Sequence, residues 1–486
     1  SRIYMTKAAW NGNHVLNGDT VNKISAFLSD REEWSLRPLS ANADQSFQGS
    51  ILLGAGFEID ESKALKMMEA DPKNREVLYP YLGGKELNTD PEQIPNRWAI
   101  NFFDWPRERS KSYLVPYEHL LENVKPERQI LKPNGEFKQR KPLPQRWWQH
   151  ADKRPALYHS IGQGHFFEKH PRGWDRNSAP FDKVLVSCRH TKELVFSFVP
   201  NNYIYSNAIN VFAVSQYSDF TVLQSSIHAV FVWKHASRLK TDLRYTPSDV
   251  YLPFPKPDIE APQQLNQLGE AYHQLRIYIM MDKQVGLTKL YNRFHNPEDT
   301  DNATVEMRHL HQTIDEVVAS AYGWDDLALE HDFHEVDYLP ENDRVRFTIS
   351  EKARNEVLDR LTILNKERHM QEQASALTKP KAKTVTKKPK PEAPIPQMAL
   401  FDEPVSETHA SLVANVKKGN QWGAESIDQI LAWLEDKAPN WYTKEAILTA
   451  CGASISDWQP AIDELLNDGD IESKIVDSIS RYRAFE

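Results

Sequence analysis

Cysteine is almost missing from this chain. Its 486 residues include only Cys188 and Cys451. Two thiols cannot frame a disulfide scaffold or a Cys-rich zinc module, and such scarcity fits a reducing cytoplasm. Long apolar runs are missing too. None approaches the roughly 18 residues of a membrane span, and the opening residues carry no apolar signal-peptide core. Positive charge is not in excess: 68 acids against 59 bases give a formal net charge of −9. Any nucleic-acid site must therefore be a local patch. Catalytic frames are absent as well, with no G-x-S-x-G elbow, phosphate-binding P-loop, kinase set or H-E-x-x-H pair. The [N/D/S]-P-P-[Y/F] loop of amino-directed methyl transfer is missing, since Asp71-Pro72-Lys73 and Asn296-Pro297-Glu298 each lack the second proline. Asp301, Glu306 and Asp315 spread around one helix and read as surface charge, which leaves a nuclease without its carboxylate cluster.

What is present is a chain able to build real cores, with 40% hydrophobic residues, thirteen Trp and thirty Pro. The pattern predicts an α+β protein in several pieces. Residues 1–45 read as the exit from a preceding domain, with a strand at Ile3–Met5 and a helix over about Val21–Leu28. Residues 46–255 alternate strands and turns. The strands are Ser50–Phe57, Trp98–Phe103, Val184–Arg189, Glu193–Val199 and Ala208–Ser215, with a helix at Glu61–Glu69 and another over 218–235. Gly54-Ala55-Gly56 lacks the third glycine of a dinucleotide turn, so it reads as a tight turn or bulge. Residues 256–375 become helical. Leu265, Leu268, Tyr272, Leu275 and Ile279 form one stripe, and Met307, Leu310, Ile314, Val317 and Ala321 a second. Thr348 and Glu351 resemble a capping box opening a third helix. Between them, 323–343 holds eight acids and no Lys or Arg and reads as a solvated acidic loop that includes His331 and His334. Residues 376–404 form a Lys- and Pro-rich linker. Residues 405–486 follow the order of a winged helix, three helices and then a hairpin pairing Ile471–Lys474 with Tyr482–Phe485. Its third helix is acidic, which suits a protein contact at least as well as DNA.

The most informative stretch is 125–176, with 12 Lys and Arg against 5 Asp and Glu. Phe137, Trp147, Trp148, Tyr158, Phe166, Phe167 and Trp174 interleave with these charges. Cations neutralise phosphates and release condensed counterions. Rings can stack on bases, or else fill a core beside nearby Arg. The histidines His150, His159, His165 and His170 fall here without cysteine partners, so no metal is assigned, and His165–His170 reads as a phosphate contact.

Several spaced motifs then point to a family. They are Pro80-Tyr81-Leu82-Gly83-Gly84-Lys85-Glu86-Leu87-Asn88, Trp98-Ala99-Ile100-Asn101-Phe102, Arg146-Trp147-Trp148, and Asp242-Leu243-Arg244-Tyr245-Thr246-Pro247-Ser248-Asp249-Val250. Gly286-Leu287-Thr288-Lys289-Leu290-Tyr291-Asn292-Arg293-Phe294-His295 and Ala321-Tyr322-Gly323-Trp324 follow. Over about residues 1–375 the chain resembles the C-terminal half of large adenine-specific DNA methyltransferases, of Type IIL-like restriction–modification and phage-defence (DISARM-type) systems. The resemblance implies that 46–255 is a DNA target recognition domain and 256–375 its helical C-terminal region. It implies double-stranded DNA as partner, and a methyltransferase domain or chain elsewhere that holds S-adenosylmethionine and the catalytic loop. This chain then has no catalytic residue and no cofactor of its own. The expected DNA contacts are Lys85, Arg97, Arg146, Trp147, Trp148, Lys153, Arg154, Arg189, Lys240, Arg244, Tyr245, Ser248 and Arg293. Arg244, Tyr245 and Arg293 each also admit a purely structural role. The competing expectation is a protein-interaction subunit that recruits a helicase or nuclease through the acidic loop and the winged-helix-like tail.

Overall fold

The computed structural model describes residues 35–170, 180–239, 242–259 and 262–378, with short pieces at 12, 14–16, 19–21, 434, 442–451, 462, 471–476 and 479–484. The architecture is α+β. A first sheet runs Ile204–Tyr205, Leu78–Leu82, Arg97–Ile100, Glu58–Asp60, its outer pair at Ile204 parallel and the rest antiparallel. A second, fully antiparallel sheet runs Ser46–Gln48, Ile209–Phe212, Lys183–Cys188, Phe196–Pro200. Lys183–Cys188 is buried on both faces from Val184 onward, so its sequence reads as a continuous apolar run rather than an alternation. A small third sheet joins Ser237–Leu239, Asp242–Arg244 and His190–Thr191.

Most expected elements appear, with shifted ends. The helix after Asp60 spans Glu61–Ala70, and the Asp60 carboxylate caps it by accepting from Lys63 N at 2.7 Å. Ser50–Phe57 is not a regular strand. It makes isolated bridges and then a 3-10 turn at Ala55–Phe57, and the strand begins only at Glu58. The expected single helix over 218–235 is two, Tyr217–Gln224 and Ser226–His235. Ser225 breaks the pattern because its hydroxyl caps the second helix at His228 N. The third long helix, Glu351–Thr378, is capped by Ser350, whose Oγ accepts from Ala353 N, and not by Thr348.

One hydrophobic cluster runs from Leu52 to Leu361, so sheets and helices share a core. The helix Gln263–Lys283 is tied to it by Arg276, fully buried, which donates to Ser197 Oγ (3.3 Å) and lies 5.4 Å over the Phe220 ring. In the tail, Tyr442–Thr443, Ile479–Ala484 and Ile471–Val476 form a three-stranded sheet, with a helix at Lys444–Cys451. The 471–476/479–484 hairpin is thus present. The other two helices of the winged-helix reading, the linker beyond 378, and the pieces at Ile3–Met5 and Val21–Leu28 lie outside the described residues. No helix among the described residues is long and apolar enough to cross a membrane.

Two expectations in the helical region are corrected. Asp315 is not surface charge but fully buried. It accepts from Ser226 N (2.7 Å) and His331 Nε2 (2.8 Å). Burial alone would raise its carboxyl, but the neighbouring His311 and the His331 and Ser226 hydrogen bonds outweigh this and hold it below the usual range. The acidic stretch is not a solvated loop either. Asp332–Glu335 pairs with Val345–Thr348 as a hairpin, His331 is buried on Asp315, Asp343 pairs with Lys192 and Arg346, and Asp326 with Arg360. Asp315→Asn is expected to cost about 1–3 kcal/mol by leaving one buried donor unmatched, measured as a shift in the urea midpoint. An unchanged midpoint would remove Asp315 from the account of what joins these helices.

Candidate nucleic-acid interface

The cations that the fold gathers sit on the third sheet and the helix beside it. Strand Lys183–Cys188 delivers Arg189 to the sheet edge, where its N–H donates to Ala208 O (2.8 Å) and its carbonyl accepts from Tyr245 N (2.8 Å). Arg244 is paired in register with His190. His190 is exposed, and partial burial together with the Arg189 and Arg244 charges holds its imidazole below the ordinary range. The nearby Asp242 carboxylate opposes this lowering without cancelling it. Arg244 Nε is buried and has no hydrogen-bond partner among the described residues. A buried donor of this kind needs an acceptor from somewhere. Ser248 lies exposed in the turn that follows, its hydroxyl on Asp249.

Helix Gly84–Thr89 extends this face. A Cβ on Gly84 would touch Cys188 Sγ at 3.4 Å, which places exposed Lys85 beside the end of the strand that leads to Arg189. Lys85 also lines an open groove of about 940 Å³ whose lining mixes Lys63 and Arg97 with Glu58, Asp60 and Glu86. Arg97 is spent in holding that groove together. Its Nε and Nη2 clasp Glu86 (2.9 and 3.1 Å) and its Nη1 meets Glu58. The clasp lowers the Glu86 carboxyl against the opposing effect of burial. A Cβ on Gly83 would meet the Arg97 guanidinium and the Glu86 carboxylate, so a side chain there would displace the clasp.

The expected contacts therefore divide. Arg189, Arg244 and Ser248 lie on adjoining segments, and Lys85 lies on the helix that packs on Cys188. Lys240 lies outside the described residues. Tyr245 is corrected to a core residue: it is fully buried against Phe196 and Phe212, and its carbonyl accepts from Asn210. Its work is to fix the backbone between Arg189 and Arg244. Trp147 and Trp148 are also core, at 2% and 8% exposure. Trp147 packs 5.3 Å from Tyr117, and Trp148 donates to Trp105 O, so neither ring offers a base a free face. Arg154 is engaged by Asp152 (2.9 Å) and Gln48, and Arg293 by Asp299 (2.7 Å) and Asp301; both are structural pairs. Arg146 and Lys153 are half-buried and lie away from the sheet edge in sequence.

The idea of a ring-studded cationic island at 125–176 is thus corrected. Tyr158 and Phe167 are buried with the two Trp. Arg128 is buried too, and donates to the carbonyls of Leu52, Leu53 and Gln149. Of the His165–His170 group read as a phosphate contact, His170 is bonded through Nδ1 to His159 Nε2 (2.7 Å). Five cations between 129 and 146 stay on an outward loop.

Residues 179–258, the segment that supplies Arg189, His190, Arg244 and Ser248, match the family model described as MmeI, target recognition domain. DNA methyltransferase A of Bacillus subtilis (strain 168) is 32% identical over 120 residues, which is 24% of this chain and 12% of that protein. A solved structure of the Type IIL restriction-modification enzyme MmeI in complex with DNA is similar over 72% of this chain and 40% of its own, at 15% identity and a TM-score of 0.46. The chain spans less than half the length of either relative.

Proposed function

We propose that this chain, which carries an MmeI-type target recognition segment at residues 179–258, selects the DNA site for a methyltransferase of a restriction–modification or phage-defence system. The observation that carries the reading is a coincidence of place. The matched segment is the one whose small sheet concentrates Arg189, His190 and Arg244 and leaves Arg244 Nε without a partner among the described residues. In this reading Lys85, Arg189 and Ser248 hold phosphates, and Arg244 reaches a base edge, where a guanidinium can grip guanine bidentately. Residues 46–255 are the recognition unit, 256–375 its helical support, and 405–486 a winged-helix-like appendage for other proteins of the system.

The methylated atom in this reading is an adenine N6, presented by flipping the base from the duplex. The methyl donor S-adenosylmethionine and the catalytic loop belong to a catalytic half, as a domain or a separate chain. No step of methyl transfer is assigned to the residues described above. What these residues do is fix register on the duplex and decide which adenine is within reach.

The test is fluorescence anisotropy of the full chain on a 30-base-pair duplex over a KCl series. Arg189→Ala with Arg244→Ala is expected to flatten the slope of log affinity against log salt by about one unit, for the phosphate contact of Arg189, and to weaken binding by about 10- to 100-fold. An unchanged slope in this variant would contradict the assignment.

A further inference from the structure

The loop between Gln129 and Arg146 is built as a finger. Ile130–Lys132 and Glu136–Lys138 run antiparallel, with Leu131 bridged to Phe137, Lys138 N donating to Ile130 O and Lys132 N to Glu136 O, both at 2.7 Å. The turn between them is Pro133-Asn134-Gly135. Gly135 takes φ +83°, which closes a three-residue hairpin in its preferred form. Nothing lies within 4 Å of where a Gly135 Cβ would stand, so the tip is clear of the rest of the described molecule. The root, by contrast, is locked. Arg128 is buried on four carbonyls, and Gln129 Nε2 donates to Pro144 O.

The finger's chemistry is mixed in a particular way. Directly opposed residues of an antiparallel pair share a face, so Leu131 and Phe137 make one apolar face. Leu131 is 57% exposed and Ile130 48%. Lys132 and Lys138 stand on the alternate face, and Arg140, Lys141 and Arg146 follow; Glu136, the one carboxylate between 129 and 146, lies 3.8 Å from Lys132 Nζ in an exposed pair that a phosphate can displace. A two-stranded ribbon fits the width of the DNA major groove. Apolar side chains there meet thymine methyls, and cations on the flanks meet phosphates. A protein partner would be expected to present acids to this loop, and so does duplex DNA, but only the duplex offers a groove of ribbon width lined on both walls by negative charge.

We propose that the 130–138 ribbon stands edge-on in the major groove of duplex DNA, with its Leu131/Phe137 face toward base edges and its Lys132/Lys138 face toward the phosphates of the groove wall on that side. This rests on the DNA-recognition reading above, and it adds a second reader on a segment that the matched 179–258 region does not include.

The test uses the full chain and a mixed-sequence 40-base-pair duplex. Lys132→Gln with Lys138→Gln is expected to flatten the salt slope by about one to two units. Leu131→Ala is expected to leave the slope unchanged and weaken binding about five-fold or more. Methyl green, which occupies the major groove, should abolish the gap between wild type and Leu131→Ala, and netropsin in the minor groove should not. If wild type binds but the Lys variant keeps its slope, or netropsin rather than methyl green closes the gap, the ribbon assignment is overturned and the sheet-edge reading stands. If wild type does not bind duplex at all, both are overturned.

Discussion

Acidification from pH 7 to pH 5 is expected to remove most of the stability of the fold. His150, His228 and His273 are buried, and burial pushes each imidazole down to about 3. His150 donates through Nε2 to Ile100 O, while its Nδ1 faces no partner among the described residues. His228 Nδ1 is on Leu223 O. A second ring proton on His150 would be a buried donor with nowhere to go. Because the folded values lie below the ordinary value of about 6.5, the unfolded chain takes up protons first, and stability is full above that value and falls as pH drops. At pH 5 each site costs about 2 kcal/mol, set by the unfolded value, since all three rings are still neutral in the fold. Three such sites remove about 6 kcal/mol from a total that is typically about 5–15 kcal/mol. Asp315 and His311 are also held low and push in the same direction at lower pH. Tryptophan fluorescence and far-ultraviolet circular dichroism should report cooperative unfolding with a midpoint between about pH 4 and 5. A chain fully folded at pH 4 would mean these rings find solvent or anionic partners.

Arg128→Ala is expected to destabilise the chain by about 3–5 kcal/mol. This guanidinium is 1% exposed, and its hydrogen bonds go to carbonyl oxygens of Leu52, Leu53 and Gln149, at 2.6 to 3.0 Å. Burial lowers it to about 10, with Glu127 only partly opposing. It is a cation used as a staple between the chain before the 3-10 turn at Ala55 and the segment after Trp148. Arg128→Lys should not rescue, because an ammonium cannot span the fork of carbonyls. The urea midpoints of the two variants decide it: a Lys variant as stable as wild type would show that charge rather than fork geometry is what the site requires.

Periodicity made the element types legible. The apolar run at Val184–Arg189 is the central strand Lys183–Cys188, and the stripe through Leu265 and Ile279 is the helix Gln263–Lys283. The candidate site was legible in part, because Lys85, Arg244 and Ser248 fall in the quoted motifs and Arg189 ends the apolar strand read at Val184–Arg189. Side was not legible at 125–176. Rings and cations alternate there because rings turn inward and charged heads turn outward, and composition counts both alike. Asp315 was misread, and Arg128 was counted with the other cations of 125–176, for a related reason. Their partners Ser226 and Leu52 lie 89 and 76 residues away, so nothing local distinguishes a buried charge from a solvated one. His190 was overlooked because the burial that chiefly lowers its basicity, and the Arg244 charge that adds to the effect of its neighbour Arg189, arise only in the fold.

The central claim is tested most directly by hydrogen–deuterium exchange of the full chain with and without duplex DNA. Slowed exchange on DNA addition in 183–191 and 242–249 is the predicted result. Protection confined to other regions, or none in these two, would contradict a DNA-reading surface at the Arg189–Arg244 edge.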